Sequence, residues 1–104
     1  MAADAVHYYW RPGCGFCSRL RRALDDAGIA TVDHNIWENP AAAAVVRSHA
    51  AGNETVPTVV IGDVGLVNPS LAAVAGTLQQ SAPHLLPAGF EPPQPGWLGR
   101  LLGT

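Results

Sequence analysis

The two cysteines of this chain, Cys14 and Cys17, stand three positions apart, just beyond a short run of β-forming residues and a turn. On a helix, side chains at i and i+3 are neighbours, with Cβ atoms about 5–6 Å apart, and a disulfide needs Cα atoms about 4.4–6.8 Å apart. The pair can therefore close and open a disulfide with little backbone movement. Cys14 is expected at the cap or first turn of this helix, where unpaired N–H groups and the positive helix end favour an anion. We therefore expect Cys14 to be the more thiolate-like cysteine and the attacking nucleophile.

Two other uses of the cysteine pair remain open. A structural zinc site usually takes four Cys and His ligands from two paired motifs, and none of the four histidines is paired at the usual spacing. The histidines are His7, His34, His49 and His84. A static disulfide suits a secreted protein, but two cysteines are few for a disulfide scaffold. The sequence therefore favours redox use of the dithiol, with metal binding as an alternative.

Size and charge limit the classes of partner. The chain has 104 residues, the usual length of one domain, and its hydrophobic fraction of 48% is ordinary for a globular protein. The formal net charge of −2 offers no basic field for a nucleic acid. Residues 1–9 carry no basic start and no long apolar run, so neither a signal peptide nor a transmembrane helix is predicted. We expect a cytoplasmic protein that binds neither nucleic acid nor membrane.

The first half of the chain predicts two strands and two helices. Val6–Trp10 is β-branched and aromatic and ends at the turn signal Arg11-Pro12-Gly13, which indicates a strand leading into the cysteines. Apolar residues then recur at helical spacing until Gly28 ends the helix. Residues 29–36 form the second predicted strand. A second helix follows, capped at Asn39-Pro40 and running to about residue 49.

The second half predicts a hairpin and a last helix. The apolar run 58–61 is bounded by turn residues and can pair with residues 65–67. Asn68-Pro69 repeats the helix-start signal, and the helix is predicted to reach about Gln80. The order βαβαββα predicts an α/β fold with a four-stranded mixed sheet flanked by three helices. Its first two strands are parallel and its last two are antiparallel.

We expect residues 1–80 to form the domain and residues 81–104 to form a proline-rich tail. Five prolines after Ser81 exclude a regular helix or a central strand there. The apolar end, residues 97–102, packs back on the domain or frays, because termini are often poorly ordered. A membrane-surface anchor is disfavoured, since stable anchoring takes more than one short apolar patch.

Three motifs in this order resemble those of glutaredoxins, and most closely those of the mycoredoxin-like glutaredoxins of actinobacteria. They are Cys14-Gly15-Phe16-Cys17 after the first strand, Thr55-Val56-Pro57-Thr58 before the third, and Val67-Asn68-Pro69-Ser70 before the last helix. The resemblance covers about residues 5–80 and implies a thioredoxin fold. It also implies a thiol–disulfide oxidoreductase, with Cys17 as the resolving thiol.

The resemblance also implies a substrate site opposite the cysteines. Pro57 matches the family's cis-proline, and Val56 would offer its backbone N–H and C=O to an extended thiol substrate. From local sequence alone, Pro57 is an ordinary turn residue before a strand. Asn68 and Ser70 match the helix N-terminus that binds the substrate's carboxylate in the family.

Two departures from the family pattern bear on the thiol. Asn68-Pro69-Ser70 stands where many glutathione-using members have a Gly-Gly turn, which favours mycothiol over glutathione. The family's lysine upstream of the first cysteine is missing, and Arg11 is the nearest cation. Arg11 either steers an anionic substrate, lowers the pKa of the attacking thiol, or is an ordinary solvated side chain.

Other side chains near the cysteines have simpler interpretations. Arg21 with Asp25 and Arg22 with Asp26 have the spacing of surface i,i+4 ion pairs. Phe16 either covers the site or packs in the core, and Tyr8 and Trp10 are expected to pack.

The sequence thus predicts an enzyme that reduces mixed disulfides between proteins and a small thiol, mycothiol or glutathione. The small thiol is the co-substrate, and no metal or organic cofactor is needed. Its expected partners are proteins that carry mixed disulfides and a thiol–disulfide reductase. One alternative is a dithiol electron donor, reduced by thioredoxin reductase and serving an enzyme such as ribonucleotide reductase. Another is a non-catalytic metal-binding or docking module.

Overall fold

A computed structural model describes residues 4–90, and its element order confirms the predicted βαβαββα. The strands and helices are β1 (Val6–Trp10), α1 (Gly15–Asp26), β2 (Thr31–Asn35), α2 (Pro40–His49), β3 (Thr58–Ile61), β4 (Val64–Val67) and α3 (Leu71–Ser81). Within the described part of the chain, no helix has the length and apolar character needed to cross a membrane.

The four strands form one mixed sheet in the order β2-β1-β3-β4. β1 is parallel to β2, and both the β1–β3 and β3–β4 pairs are antiparallel. The parallel pair is joined through α1, as a crossover connection requires. Because parallel strands end at the same edge of a sheet, the ends of β1 and β2 both lie beside the cysteines. This topology is the predicted thioredoxin fold.

The two faces of β1 supply two separate parts of the core. Successive side chains of a strand point to opposite faces, so neighbouring Tyr8 and Tyr9 pack in different clusters. The Tyr8 cluster lies under α1 and α3 and includes Leu24, Val59 and Leu78, while the Tyr9 cluster lies under α2 and includes Ile36, Val46 and Val60. Helices therefore cover both faces of the sheet, and the cysteines belong to the Tyr8 side.

The predicted start of α2 is confirmed, whereas that of α3 was two residues early. Asn39 caps α2 by accepting from the backbone N–H groups of the second and third helical residues. At α3 the cap is Ser70, whose Oγ accepts from the Ala73 N–H at 3.1 Å. Asn68 instead adopts a left-handed φ of 49°, which asparagine tolerates better than most residues, and donates its N–H to the Pro57 carbonyl. Asn68 and Pro69 thus form the turn before the helix.

Residues 82–90 lie on the domain. Ala82 is fully buried, Pro83–Leu85 forms a 3₁₀ turn, and the side chains of Leu85, Leu86 and Phe90 pack against the Tyr8 cluster. A proline-rich sequence can pack in this way because irregular backbone does not need the N–H that proline lacks. The domain boundary after residue 80 stays a prediction, and the apolar segment 97–102 lies outside the described residues.

A histidine pair joins β1 to β2 on the α2 side of the sheet. His7 Nδ1 lies 2.9 Å from His34 Nε2, and the Tyr9 ring stacks on the His34 ring with centroids 4.7 Å apart. Burial lowers the pKa of His34, and the nearby His7 lowers it further, while Asp33 opposes both. The fold therefore favours the neutral form of His34.

We expect acid to weaken the fold through His34. A histidine with a lowered pKa in the folded state takes up its proton more readily when unfolded, so the loss of stability begins as pH falls through the unfolded value of about 6.5. The urea midpoint should fall between pH 7.5 and pH 5, and the fall should be smaller in His34→Gln. An equal fall in both proteins would contradict the assignment to His34.

Candidate active site

Cys14 and Cys17 occupy the positions that the sequence predicted at the start of α1. Cys14 is the N-cap residue, and its Sγ accepts the backbone N–H of Cys17 at 3.1 Å, as a serine or asparagine oxygen does at other helices. The two cysteines form a disulfide, with Cα atoms 5.2 Å apart. Gly13 has a positive φ of 75°, which lets the chain turn sharply from β1 into the helix.

The two cysteines differ in exposure. Cys14 is 7% exposed and Cys17 is 2% exposed. A partner disulfide therefore reaches Cys14 more readily than Cys17, and the N–H on the Cys14 sulfur would stabilise negative charge there. Both features favour Cys14 as the attacking thiol, and the order in which the two cysteines react stays a prediction.

The loop before β3 faces the cysteines. The Val56–Pro57 peptide bond is cis, as the family resemblance implied, and the Val56 carbonyl oxygen lies 3.8 Å from Cys14 Sγ. Thr58 Oγ1 donates to the Thr55 carbonyl, and Asn68 N–H donates to the Pro57 carbonyl. These two bonds fix the loop on both sides of the cis bond, so the Val56 backbone has a defined position beside the sulfur.

A cavity of about 360 Å³, which we call the α3 groove, runs between α1 and the start of α3. It is lined by Phe16, Arg19, Leu20, Ala23, Asn68, Pro69, Ser70 and Leu71. Asn68 and Ser70 therefore lie together, as predicted. Phe16 is 60% exposed, so it lines the groove and does not pack in the core. The guanidinium of Arg19 lies 5.7 Å from the Phe16 ring centroid, so Arg19 belongs to the wall of the groove, whereas its sequence position had favoured an ordinary surface arginine.

A second cavity, of about 470 Å³, opens at the cysteines between α1 and the parallel strands; we call it the disulfide pocket. It is lined by Tyr8, Trp10, Arg11, Gly13, Cys14, Gly15, Cys17, Ser18, Arg21 and Asp33. No sequence motif indicated this pocket. Tyr8, Trp10 and Asp33 come from β1 and β2, and strand alternation alone could have placed Tyr8 and Trp10 on one face.

Arg21 lines this pocket and makes more contacts than the predicted surface ion pair. It binds Asp25 at 3.1 Å, as predicted, but it also binds Asp33 Oδ1 at 2.6 Å and Thr31 Oγ1 at 2.7 Å. Its guanidinium lies 4.8 Å from the Tyr8 ring centroid. The second predicted pair was wrong: although Arg22 and Asp26 lie among the described residues, no ion pair joins them.

Tyr8 connects β1 to the first turn of α1. Its hydroxyl donates a buried hydrogen bond to the Cys17 carbonyl oxygen. Burial raises the pKa of Tyr8 to about 12, although the nearby Arg21 opposes the rise. The hydroxyl therefore stays a proton donor throughout the physiological pH range and holds the helix start against the sheet.

Arg11 lies at the mouth of the disulfide pocket. Its guanidinium lies 5.5 Å from the Trp37 ring centroid and donates to the Pro12 carbonyl. Trp37 follows β2 and is an exposed aromatic residue. A cation is thus present beside the cysteines, and its action on a substrate stays a prediction. In residues 4–90, no three Cys, His, Asp or Glu side chains come together as a metal site.

The fold and the cysteine pair agree with comparisons to known proteins. A family model described as Glutaredoxin matches residues 6–66. The chain belongs to the glutaredoxin family and is a thiol–disulfide oxidoreductase with a Cys-x-x-Cys pair.

The sequence relatives point to an actinobacterial type. "Putative glutaredoxin Rv3198A" of Mycobacterium tuberculosis is 41% identical over 83 residues, which cover 79% of this chain and 99% of that protein. A second M. tuberculosis strain has a protein with the same values, "Putative glutaredoxin MT3292".

Solved structures share the fold. The glutaredoxin-like NrdH-redoxin of Escherichia coli has a TM-score of 0.52 at 29% identity, covering 60% of this chain and 79% of its own. Buckwheat glutaredoxin, solved with glutathione, has a TM-score of 0.58 at 22% identity and 78% coverage of both chains. The second likeness supports the fold alone.

The hydrogen bond from Tyr8 to Cys17 predicts a specific loss of stability. Tyr8→Phe removes a buried hydroxyl donor and should lower the free energy of unfolding by about 1 kcal/mol, measured by urea denaturation of the oxidised protein. Tyr9→Phe is the matched control, because no hydrogen bond joins the Tyr9 hydroxyl to another described residue. Equal effects of the two substitutions would contradict a stabilising role for the Tyr8 bond.

Proposed function

We propose that the protein reduces mixed disulfides between proteins and a low-molecular-weight thiol, with mycothiol as the preferred thiol. The observation that carries the proposal is the position of Cys14: its sulfur accepts an N–H at the start of α1 and faces the cis-proline loop. This arrangement suits a thiolate that attacks a disulfide presented along the loop.

The first step transfers the small thiol to the enzyme. Cys14 thiolate attacks the small thiol's sulfur, a bond forms between these two sulfurs, and the protein substrate leaves as its thiolate. A second small thiol then attacks the same sulfur, and Cys14 leaves. In sum, a mixed disulfide and one small thiol give a reduced protein and the small thiol's disulfide, with no organic or metal cofactor.

Cys17 provides a second route out of the adduct. Its thiolate attacks Cys14 Sγ and expels the small thiol, which leaves the Cys14–Cys17 disulfide, the state present in the structure. The first-turn geometry supports this step, since the two Cα atoms are 5.2 Å apart and within disulfide range.

The substrate would lie along the loop and the α3 groove. Val56 would pair its backbone with the extended thiol, as in strand addition. The start of α3, with Asn68 and Ser70, would face the acceptor groups of the thiol's cysteine part, because helix N-termini suit acceptor groups. Mycothiol is favoured over glutathione by the Asn-Pro-Ser turn and by the mycobacterial relatives.

A dithiol electron donor is the second candidate. NrdH-redoxin, described as glutaredoxin-like with a thioredoxin-like activity profile, shares 29% identity with the aligned part of this chain. In that case thioredoxin reductase would reduce the disulfide, and an enzyme such as ribonucleotide reductase would receive the electrons. Either function suits the cytoplasm, where thiols are kept reduced.

Single cysteine variants test the first candidate. Cys14→Ser should abolish turnover of a mycothiol mixed disulfide, because the attacking sulfur is lost, whereas Cys17→Ser should keep most of it. The assay follows release of the reduced protein, with mycothiol and glutathione systems run side by side. Turnover by Cys14→Ser would refute the proposal.

The same variants separate the second candidate from the first. If Cys17→Ser loses activity with both thiols while the wild type accepts electrons from thioredoxin reductase, the protein belongs to the dithiol donors. Greater activity with glutathione than with mycothiol would overturn the choice of thiol alone.

A further inference from the structure

The disulfide pocket and the α3 groove open beside the same cysteine turn but differ in chemistry. The α3 groove has Arg19 among its lining residues and no carboxylate. The disulfide pocket has Asp33 as well as Arg11 and Arg21 among its lining residues, with the indole of Trp10 on β1. The two cavities therefore suit different parts of a ligand joined to Cys14.

Two arginines and one carboxylate line the disulfide pocket, and the charge of Arg21 is offset by carboxylates while that of Arg11 at the mouth is not. Arg21 binds Asp33 at 2.6 Å and Asp25 at 3.1 Å, so its cation faces two carboxylates. An anionic group placed beside Arg21 would meet the Asp33 carboxylate at close range, which disfavours it there. The pocket still offers hydrogen-bond donors and acceptors, because guanidinium, carboxylate and hydroxyl groups line it together.

The remaining walls suit a compact ring. Trp10 comes from β1 and is only partly buried, so the indole can contact the C–H face of a ring. The volume of about 470 Å³ lies within the range of small-molecule sites, roughly 300–1,000 Å³. Neighbouring hydroxyls of a ring can donate to a carboxylate and accept from a guanidinium at once. An aromatic wall beside an Asp–Arg pair thus matches an uncharged polyol better than a peptide carboxylate.

We propose that the disulfide pocket binds the uncharged, hydroxyl-rich part of the small thiol, a sugar or cyclitol, while its sulfur is joined to Cys14. This inference rests on the proposed function and gives it a source of thiol selectivity. Mycothiol carries such a group on its cysteine, whereas glutathione carries two carboxylates. In the adduct, Cys17 is a free thiol, and the pocket beside it receives the ligand's ring.

Binding of an unreactive ligand tests the pocket without any redox step. S-methyl mycothiol cannot exchange its sulfur, so titration of the reduced protein isolates binding. We expect ¹H–¹⁵N NMR signals of the Trp10 indole and the Asp33 backbone to shift, and S-methyl glutathione to shift them much less. Shifts confined to Phe16 and Ser70, or no shifts at millimolar ligand, would overturn the inference. So would equal shifts with both ligands.

A matched pair of variants tests the contact with Asp33. Asp33→Asn should weaken binding of S-methyl mycothiol about tenfold, the size expected for a hydrogen bond to a charged group. Asp25→Asn is the control, because Asp25 also binds Arg21 but does not line the pocket. Its dissociation constant should stay within about twofold of the wild type. Equal weakening in both variants would assign the effect to Arg21 positioning and overturn direct contact with Asp33.

The outcomes separate this inference from the proposed function. Signal shifts at Trp10 and Asp33, without turnover of mycothiol mixed disulfides, would support the pocket and refute the reaction. Turnover of those disulfides, with the pocket signals unmoved, would support the reaction and refute the pocket.

Discussion

The hydrogen bond from the Cys17 N–H to Cys14 Sγ is the interaction on which the rest of the site depends. It makes a reactive sulfur the cap of α1, the part that Asn39 and Ser70 side chains play at the other two α-helices. The same bond places Cys17 in the first turn, within disulfide distance of Cys14. This one local arrangement therefore sets where the helix starts, where the nucleophile lies and where the resolving thiol lies.

Long-range contacts then fix this helix start against the sheet. Tyr8 on β1 donates to the Cys17 carbonyl, and Arg21 on α1 binds Asp33 on β2. Because Tyr8 and Asp33 are register partners in the parallel pair, both contacts reach the same side of the sheet. The disulfide pocket is the space left between them, and its polar walls follow from these two contacts.

Sequence patterns located the elements well where a local signal exists. Asn39-Pro40 and the hairpin turn marked α2 and β3–β4 correctly, because caps and turns use short-range chemistry. At α3 the predicted signal, Asn68-Pro69, was two residues early, because Ser70 is the residue that caps the helix. The prolines after Ser81 suggested a tail, yet Ala82 is buried, because proline excludes regular elements without excluding packing.

The sequence by itself determined the dithiol, its position at a helix start and the βαβαββα order, because each depends on residues within a few positions of one another. Only the tertiary structure decided what surrounds the sulfurs. The pairing of β1 with β2 brings Asp33 to Arg21, and the cis-proline loop brings Val56 to Cys14, 42 positions away in the chain. The first approach has no local signal, since strand pairing is set by the packing of the whole domain. The second was implied only by the family resemblance, because the contacting residues lie far apart in the chain.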